Sequence, residues 1–274
     1  MLRARDGFDP GRFVAMNLKS VVRDLWLIRT FKNGHQFVLG LRTGRLPSEA
    51  IFRDGHVIKH PPELSGLAEV LIEVLHEKIY TPSWFYTPSQ NDTIVDFGAN
   101  VGVFAIAEAR RNPTARVIAV EAHPRIFQQL AANVAPFAKQ IQAHHAAVQG
   151  EEGSVQMGSP TSRSLDIRVS KDRDGLSVTV PAIGFAQVQR LVDNHDIALL
   201  KCDIEGAEAD VFEGATPEAL SRIRNIALEY HDNLQPGITA RLWQSLSKTH
   251  RLLSLTDNGG CGIMLWKRLD LVAD

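Results

Sequence analysis

The stretch that most limits what this chain can fold into is Thr93-Ile-Val-Asp96-Phe-Gly98-Ala-Asn100-Val-Gly102-Val-Phe104. It reads as a buried strand that stops at an acid, turns on glycines and passes into a helix from Val103. Such a turn lets a ligand approach the backbone, and the helix start offers free N–H groups, so the unit is a candidate site for a nucleotide-type cofactor. Asp96 narrows the choice. A dinucleotide would place an anionic pyrophosphate beside it, where a carboxylate repels. S-adenosylmethionine would place its cationic ammonium and sulfonium there, and a carboxylate suits both. Gly98 and Gly102 are four residues apart, so the G-x-G-x-x-G fingerprint of dinucleotide folds is absent. Asp96, Gly98, Ala99, Asn100 and Gly102 are therefore the candidate cofactor-binding residues, and S-adenosyl-L-methionine the expected cofactor.

Strands and helices alternate from residue 93 onward, which predicts an α/β layered fold with a mainly parallel sheet. Strands are expected at 93–96, 116–120, 141–148, 197–203 and 223–230. Helices are expected at about 101–111, 124–133, 185–193, from 206 to 212 and at 239–249. Residues 149–178, rich in Gly, Ser, Asp and Arg, read as loops and short strands at the sheet edge. Arg251–Leu255 and Ile263–Trp266 are strands joined by the glycine-rich Asp257–Gly262, so they must run antiparallel. A parallel sheet closed by an antiparallel terminal hairpin is the layout of a class I methyltransferase, a Rossmann-like fold. A nucleotide-binding dehydrogenase would continue with helical crossovers instead.

Residues 1–90 read as an α+β extension covering the site, and 91–274 as the cofactor-binding domain. Leu18, Val21, Val22, Leu25 and Ile28 fall near helical spacing, so 15–30 is expected to be an amphipathic helix packed on its own domain. Its surroundings are basic: residues 1–32 hold seven Lys and Arg against three Asp. Gln36–Leu41 reads as a strand. Ala50–Arg53 and His56–Lys59 flank Asp54-Gly55, a hairpin signal. Leu64, Leu67, Leu71, Val74, Leu75 and Ile79 give a helical stripe.

Further candidates sit where strands end. Glu121, 25 residues after Asp96, can accept hydrogen bonds from both hydroxyls of an adenosine ribose. Ala146, at the end of the third strand, is small enough to edge an adenine ring. Neighbouring His144 and His145 point to opposite faces and are not expected to share a metal. Asp203 and Glu205 follow the fourth strand and would face the same crevice as Asp96. Asp203 could hold the cofactor's amino group, and either acid could act as base or ligate a divalent ion. Glu208 reads as an acid that favours a helix start. Glu229 and His231 end the fifth strand on one face, and a histidine there suits a base. Asp203, Glu205, Glu229 and His231 are the candidate catalytic residues.

The segments Asp96–Gly102, Val120–Pro124, Leu200–Glu208 and Ile226–His231, with Ile51–Gly55 and the Tyr80 region upstream, resemble the FkbM-type methyltransferases over roughly residues 50–232. That resemblance implies methylation of a hydroxyl on a sugar, polyketide or related metabolite. The residues alone leave two alternatives: a non-catalytic cofactor-binding scaffold, and a nicotinamide dehydrogenase, which Asp96 and the terminal hairpin disfavour.

A net charge of -1 gives no general field for nucleic acid, so a small-molecule acceptor is expected. Two cysteines, Cys202 and Cys261, make neither a disulfide framework nor a metal cluster. No apolar run approaches the ~20 residues of a membrane span, and the N-terminus lacks the order of a secretion signal, so a cytoplasmic location is expected.

Overall fold

The computed structural model describes residues 18–62, 64, 66–157 and 178–272. Arg3, Arg5 and Arg12 of the basic stretch, and most of the loop expected at 149–178, lie outside them. The chain opens with two helices, α1 (Leu18–Thr30) and α2 (Gly34–Thr43). The strand expected at Gln36–Leu41 is thus a helix. Gly34 permits this, because a Cβ there would lie 2.1 Å from the Leu27 carbonyl oxygen, and α1 and α2 pack into a tight hairpin. Gly44, with φ of 75°, ends α2.

The stripe expected to bury α1 points outward. Leu18 is 76% exposed and Val22 and Leu25 each 49%, whereas Leu27 is buried with Asp24, whose carboxylate pairs with Arg23 and Arg42. Strands β1 (Glu49–Ile51) and β2 (Val57–Lys59) form the predicted antiparallel hairpin around Asp54-Gly55. The helical stripe at 64–79 becomes α3 (Leu67–Leu71), which widens into a π-helical segment over Ile72–Glu77.

The remainder is a seven-stranded sheet with helices on both faces. Its strands are β3 (Thr93–Phe97), β4 (Arg116–Glu121), β5 (Ile141–His145), β9 (Leu199–Cys202), β10 (Asn225–His231), β11 (His250–Leu255) and β12 (Cys261–Arg268). The expected third strand breaks at Ala146. Beyond it, β6 (Ala147–Val148), β7 (Gly153–Met157) and β8 (Val178–Ile183) form a separate small sheet. The large sheet has the order β11-β12-β10-β9-β3-β4-β5. Only β12 runs against its neighbours, pairing antiparallel with both β10 and β11. This is the expected class I methyltransferase architecture, with the chain reversal at the terminal hairpin.

Strand periodicity assigns each side chain a face. Ile94, Val117, Ala119, Leu199 and Ala227 look toward α4 (Val103–Arg111) and α5 (Pro124–Val134), and share an apolar cluster with Leu27, Phe31, Phe37, Leu71 and Tyr80 of the N-terminal segment. The core is continuous across residue 90. The alternate residues Val95, Phe97, Leu200 and Leu228 pack against α6 (Phe185–Leu191), α7 (Glu208–Glu213) and α9 (Ile238–Leu246), with a short α8 (Pro217–Leu220) nearby. Among the described residues no helix is long and apolar enough to cross a membrane.

Candidate active site

The carboxyl ends of β3, β4 and β9, with β6 and the segment around Glu73 and Tyr80, border a cleft open to solvent. This is where an open α/β sheet binds ligands. Gly98, Ala99, Asn100, Glu121, Ala146, Asp203 and Glu205, all candidates from sequence, lie on its walls.

At one end the backbone does the work. Gly98 has φ of 69°, and a Cβ there would stand 1.7 Å from the Asp203 carbonyl oxygen, so only glycine lets this turn press against the loop after β9. Asn100 also adopts a left-handed conformation, with φ of 48°. Its N–H donates to Glu121 Oε2 at 2.9 Å, and the His123 N–H donates to Oε1 at 2.8 Å. Burial raises the Glu121 carboxyl above its ordinary range, and these two amides pull it back. Each oxygen is held on one side and keeps lone-pair capacity for a ligand hydroxyl. Gly102 does not line the cleft. Its φ is 90°, and a Cβ would meet the Leu130 side chain at 2.8 Å, so it serves the close approach of α4 and α5.

Asp96 also lies off the cleft wall. It shares a face with Ile94 and is fully buried. Parallel register sets Lys201 directly opposite it, and the Lys201 ammonium stands 3.3 Å from Asp96 Oδ1. Burial lifts the Asp96 carboxyl to about 6 against the pull of Lys201. Lys201 Nζ also donates to the carbonyls of Phe97 and Gly98, at 3.3 and 2.8 Å. Lys201 thus ties Asp96 to the glycine turn, so the acid reaches the cleft through this strap rather than from its wall.

The other end of the cleft is a side-chain cluster. Tyr80 Oη is 3.0 Å from Asp203 Oδ2 and 2.9 Å from Glu229 Oε2. A phenol has one proton, so it donates to one carboxylate at a time. Glu229 also accepts from the Cys261 thiol at 3.2 Å. Burial, then the charge of Asp203, raises the Glu229 carboxyl. Burial, then the charges of Glu229 and Asp203, lifts Glu73 to about 7. Burial and Asp203 together lift Glu205 to about 8, outweighing the attraction of His231. Glu205 has φ of 57° and Gly206 of 101°, a left-handed pair that turns the chain from β9 toward α7.

His231 is buried behind this cluster. Its Nδ1 lies 2.7 Å from Glu208 Oε1, and its Nε2 is 3.6 Å from Glu205 Oε2. Burial alone would lower the imidazole, but the Glu208 hydrogen bond and the acids around it hold it at about 9. Glu208 therefore does more than favour a helix start. It is fully buried, accepts from the Gly206 N–H at 3.0 Å and orients His231.

Sequence reasoning passed over Glu73 and Lys201, read Glu208 only as an acid at a helix start, and gave Tyr80 no role. Two of them left a trace: a lysine inside the apolar strand 197–202, and an acid interrupting the stripe of 64–79. The expected separation of His144 and His145 holds. His145 bonds the Ala122 carbonyl and stacks on Phe127, while burial lowers His144.

The donors fit S-adenosylmethionine. Glu121 keeps acceptor capacity that would suit ribose hydroxyls, Ala146 and Ala147 offer an apolar wall in the same cleft, and its carboxylates would suit a cationic group. The sequence matches the family described as methyltransferase FkbM domain over residues 96–258. It is 27% identical over 218 residues to the AMB antimetabolite synthetase AmbE of Pseudomonas aeruginosa, covering 64% of this chain but 10% of AmbE. It is 26% identical over 200 residues to Methyltransferase 1 of Beauveria bassiana, covering 64% of this chain and 79% of that protein. Among solved structures it superimposes on the fibrillarin pre-rRNA processing protein of Methanococcus jannaschii with a TM-score of 0.44 and 12% identity, covering 77% of each chain.

Proposed function

The chain belongs to the FkbM methyltransferase family of S-adenosylmethionine-dependent enzymes, and on that premise we propose that it methylates a hydroxyl of a sugar, polyketide or related small metabolite. The observation that carries this reading is the linked group Asp203, Glu205, Glu229 and His231 at the cofactor cleft, with Tyr80 and Glu208 fixing its members. A hydroxyl is a poor nucleophile until its proton is taken or shared. Carboxyls whose proton affinity is raised toward neutrality suit that task better than ordinary ones.

The bound cofactor supplies an electrophilic methyl group on a positively charged sulfur. Glu121 holds the ribose, and the Gly98–Asn100 turn, strapped by Lys201 to Asp96, positions the methionine end. The acid cluster orients the acceptor hydroxyl and takes its proton as a coupled unit rather than through one residue. Positioning of the two reactants in line supplies much of the rate. The segment before residue 90 covers the cleft and contributes Glu73 and Tyr80 to the acceptor side. An excess of carboxylates also disfavours a phosphate-bearing acceptor, which argues for a metabolite over a nucleic acid.

The test is transfer from S-adenosylmethionine carrying a labelled methyl group to a panel of hydroxylated and amino-bearing metabolites. The label is expected in a methyl ether. In Asp203→Asn, transfer should fall by about 10²–10⁴-fold with the affinity for S-adenosylhomocysteine retained. Label on nitrogen, or an unchanged rate in that variant, would overturn the hydroxyl reading. A protein that binds S-adenosylhomocysteine but transfers to nothing in the panel would favour the scaffold alternative.

A further inference from the structure

The acid end of the cleft holds more than a proton acceptor requires. One carboxylate oxygen each from Asp203 and Glu205 and a ring nitrogen of His231 lie within 4.8 Å of one another. Ligand atoms at about 2.1 Å from one ion stand roughly 3–4 Å apart, so small side-chain rotations close the set. The three residues come from two neighbouring strand ends, β9 and β10, whose parallel pairing brings them side by side.

His231 distinguishes the set from a patch of acids. Its side chain is 6% exposed, and Nδ1 is committed to Glu208, which lies outside the set. Among the described residues Nε2 has no hydrogen-bond partner, and it points toward Glu205. A carboxylate that fixes one ring nitrogen while the other faces a group of acids is how proteins present a metal-binding histidine. The charge balance points the same way. Lys201 gives its hydrogen bonds to the Phe97 and Gly98 carbonyls and divides its charge between Asp96 at 3.3 Å and Asp203 at 3.6 Å. One ammonium shared in this way does not offset Glu73, Asp203, Glu205 and Glu229 together.

We propose that Asp203, Glu205 and His231 Nε2 bind a divalent transition-metal ion at the acceptor end of the cleft. One imidazole with two carboxylates suits a borderline ion such as Mn²⁺ or Zn²⁺ better than Ca²⁺, which prefers six to eight oxygens. Three protein ligands leave positions open, and the acceptor oxygen takes one of them. The ion lowers the proton affinity of that hydroxyl, and the released proton passes to Glu229, which stays outside the set. Tyr80 then acts as a positioning residue, because its hydroxyl orients both Asp203 and Glu229. The ion's role rests on the hydroxyl-transfer reading, but its binding does not.

The experiment is titration of the full chain, stripped with a chelator, with Mn²⁺ followed by electron paramagnetic resonance and with Zn²⁺ by calorimetry, without any acceptor. One ion per chain is expected. Glu205→Gln and His231→Ala should each weaken binding by at least about 100-fold, while Glu73→Gln, an acid of the same cleft outside the set, should change it by less than about threefold. Affinity for S-adenosylhomocysteine, measured on the same samples, separates loss of the metal site from loss of the fold. No binding at millimolar Mn²⁺ and Zn²⁺, or equal affinity in Glu205→Gln, would overturn the site and leave the hydroxyl-transfer reading standing. Stoichiometric metal binding with label found on nitrogen would do the reverse.

Discussion

The two ends of the cleft hold their acids in opposite ways. At the glycine-turn end, Glu121 is gripped by the backbone amides of Asn100 and His123, and Asp96 is matched across the register by Lys201. Backbone positions set these contacts. At the acceptor end, Asp203, Glu205 and Glu229 are held by the side chains of Tyr80, His231 and Cys261, and they repel one another and Glu73. The contrast separates two duties. A cofactor that is the same in every turnover is served by a rigid cradle. A site that must move a proton needs groups whose ionisation is finely balanced, and balance here comes from unmatched charge.

If the cradle is backbone-built, its weakest point is the place where two backbones meet. Gly98→Ala should be the most damaging change of those considered. The new Cβ meets the Asp203 carbonyl at 1.7 Å, and neither backbone can yield cheaply. The left-handed φ adds about 1 kcal/mol to a steric cost of several. Thermal unfolding is expected to drop by roughly 10 °C, taking ~3 °C per kcal/mol for a chain of this size. A variant that melts like the wild type would break the claim that the turn is pressed against the loop after β9.

Glu121→Gln tests the same end more gently. The amide keeps one acceptor oxygen and loses the charge, and hydrogen bonds to charged groups are worth about 1.5–3 kcal/mol. Affinity for S-adenosylhomocysteine should fall about 10–100-fold, with the rate at saturating cofactor little changed. A fall in rate without a fall in affinity would move Glu121 from the cofactor to the acceptor.

The same contrast explains which parts of the site were legible in the sequence. The cradle lies in one continuous strand–turn–helix, Thr93–Phe104, with Glu121 at the next strand end, so local pattern sufficed. Parallel register was not legible, and it alone sets Lys201 opposite Asp96 and sends that acid into the core. The acceptor end is assembled from four distant segments, around 73–80, 203–208, 229–231 and 261. Strand periodicity placed Glu229 and His231 on one face. Nothing local could say that Tyr80 would reach Asp203, or that Glu208 would be buried against His231. The helix misread as a strand at Gln36–Leu41 has a similar origin: its apolar run fits either period, and its packing on α1 decided the outcome.

At the acceptor end the largest single contact to remove is the Tyr80 hydroxyl. Tyr80→Phe keeps the ring packed on Phe104 but strips a hydrogen bond from Asp203 and Glu229. Methyl transfer should fall by about tenfold, the equivalent of one hydrogen bond at ~1.4 kcal/mol, while cofactor affinity holds within about twofold. Equal losses in both would mean that Tyr80 supports the whole cleft rather than its acceptor side.

The finest comparison is the pH response. Glu205 is raised to about 8, so it must lose its proton before it can hold an ion or help the cluster take the acceptor's proton, and kcat/KM should climb from pH 6.5 and level off above about 8.5. His231 sits at about 9, above its ordinary 6.5. A histidine raised in this way stabilises the fold fully below 6.5, and that contribution fades as pH rises through 9. Glu208→Gln removes the partner that holds the proton, so the His231 ring signals in NMR should titrate nearer 6.5. The stability gap between wild type and variant should then be widest near pH 6 and narrow toward pH 9. A gap that widens with pH would show that Glu208 stabilises chiefly by bonding the Gly206 amide, and that the imidazole is a neutral passenger.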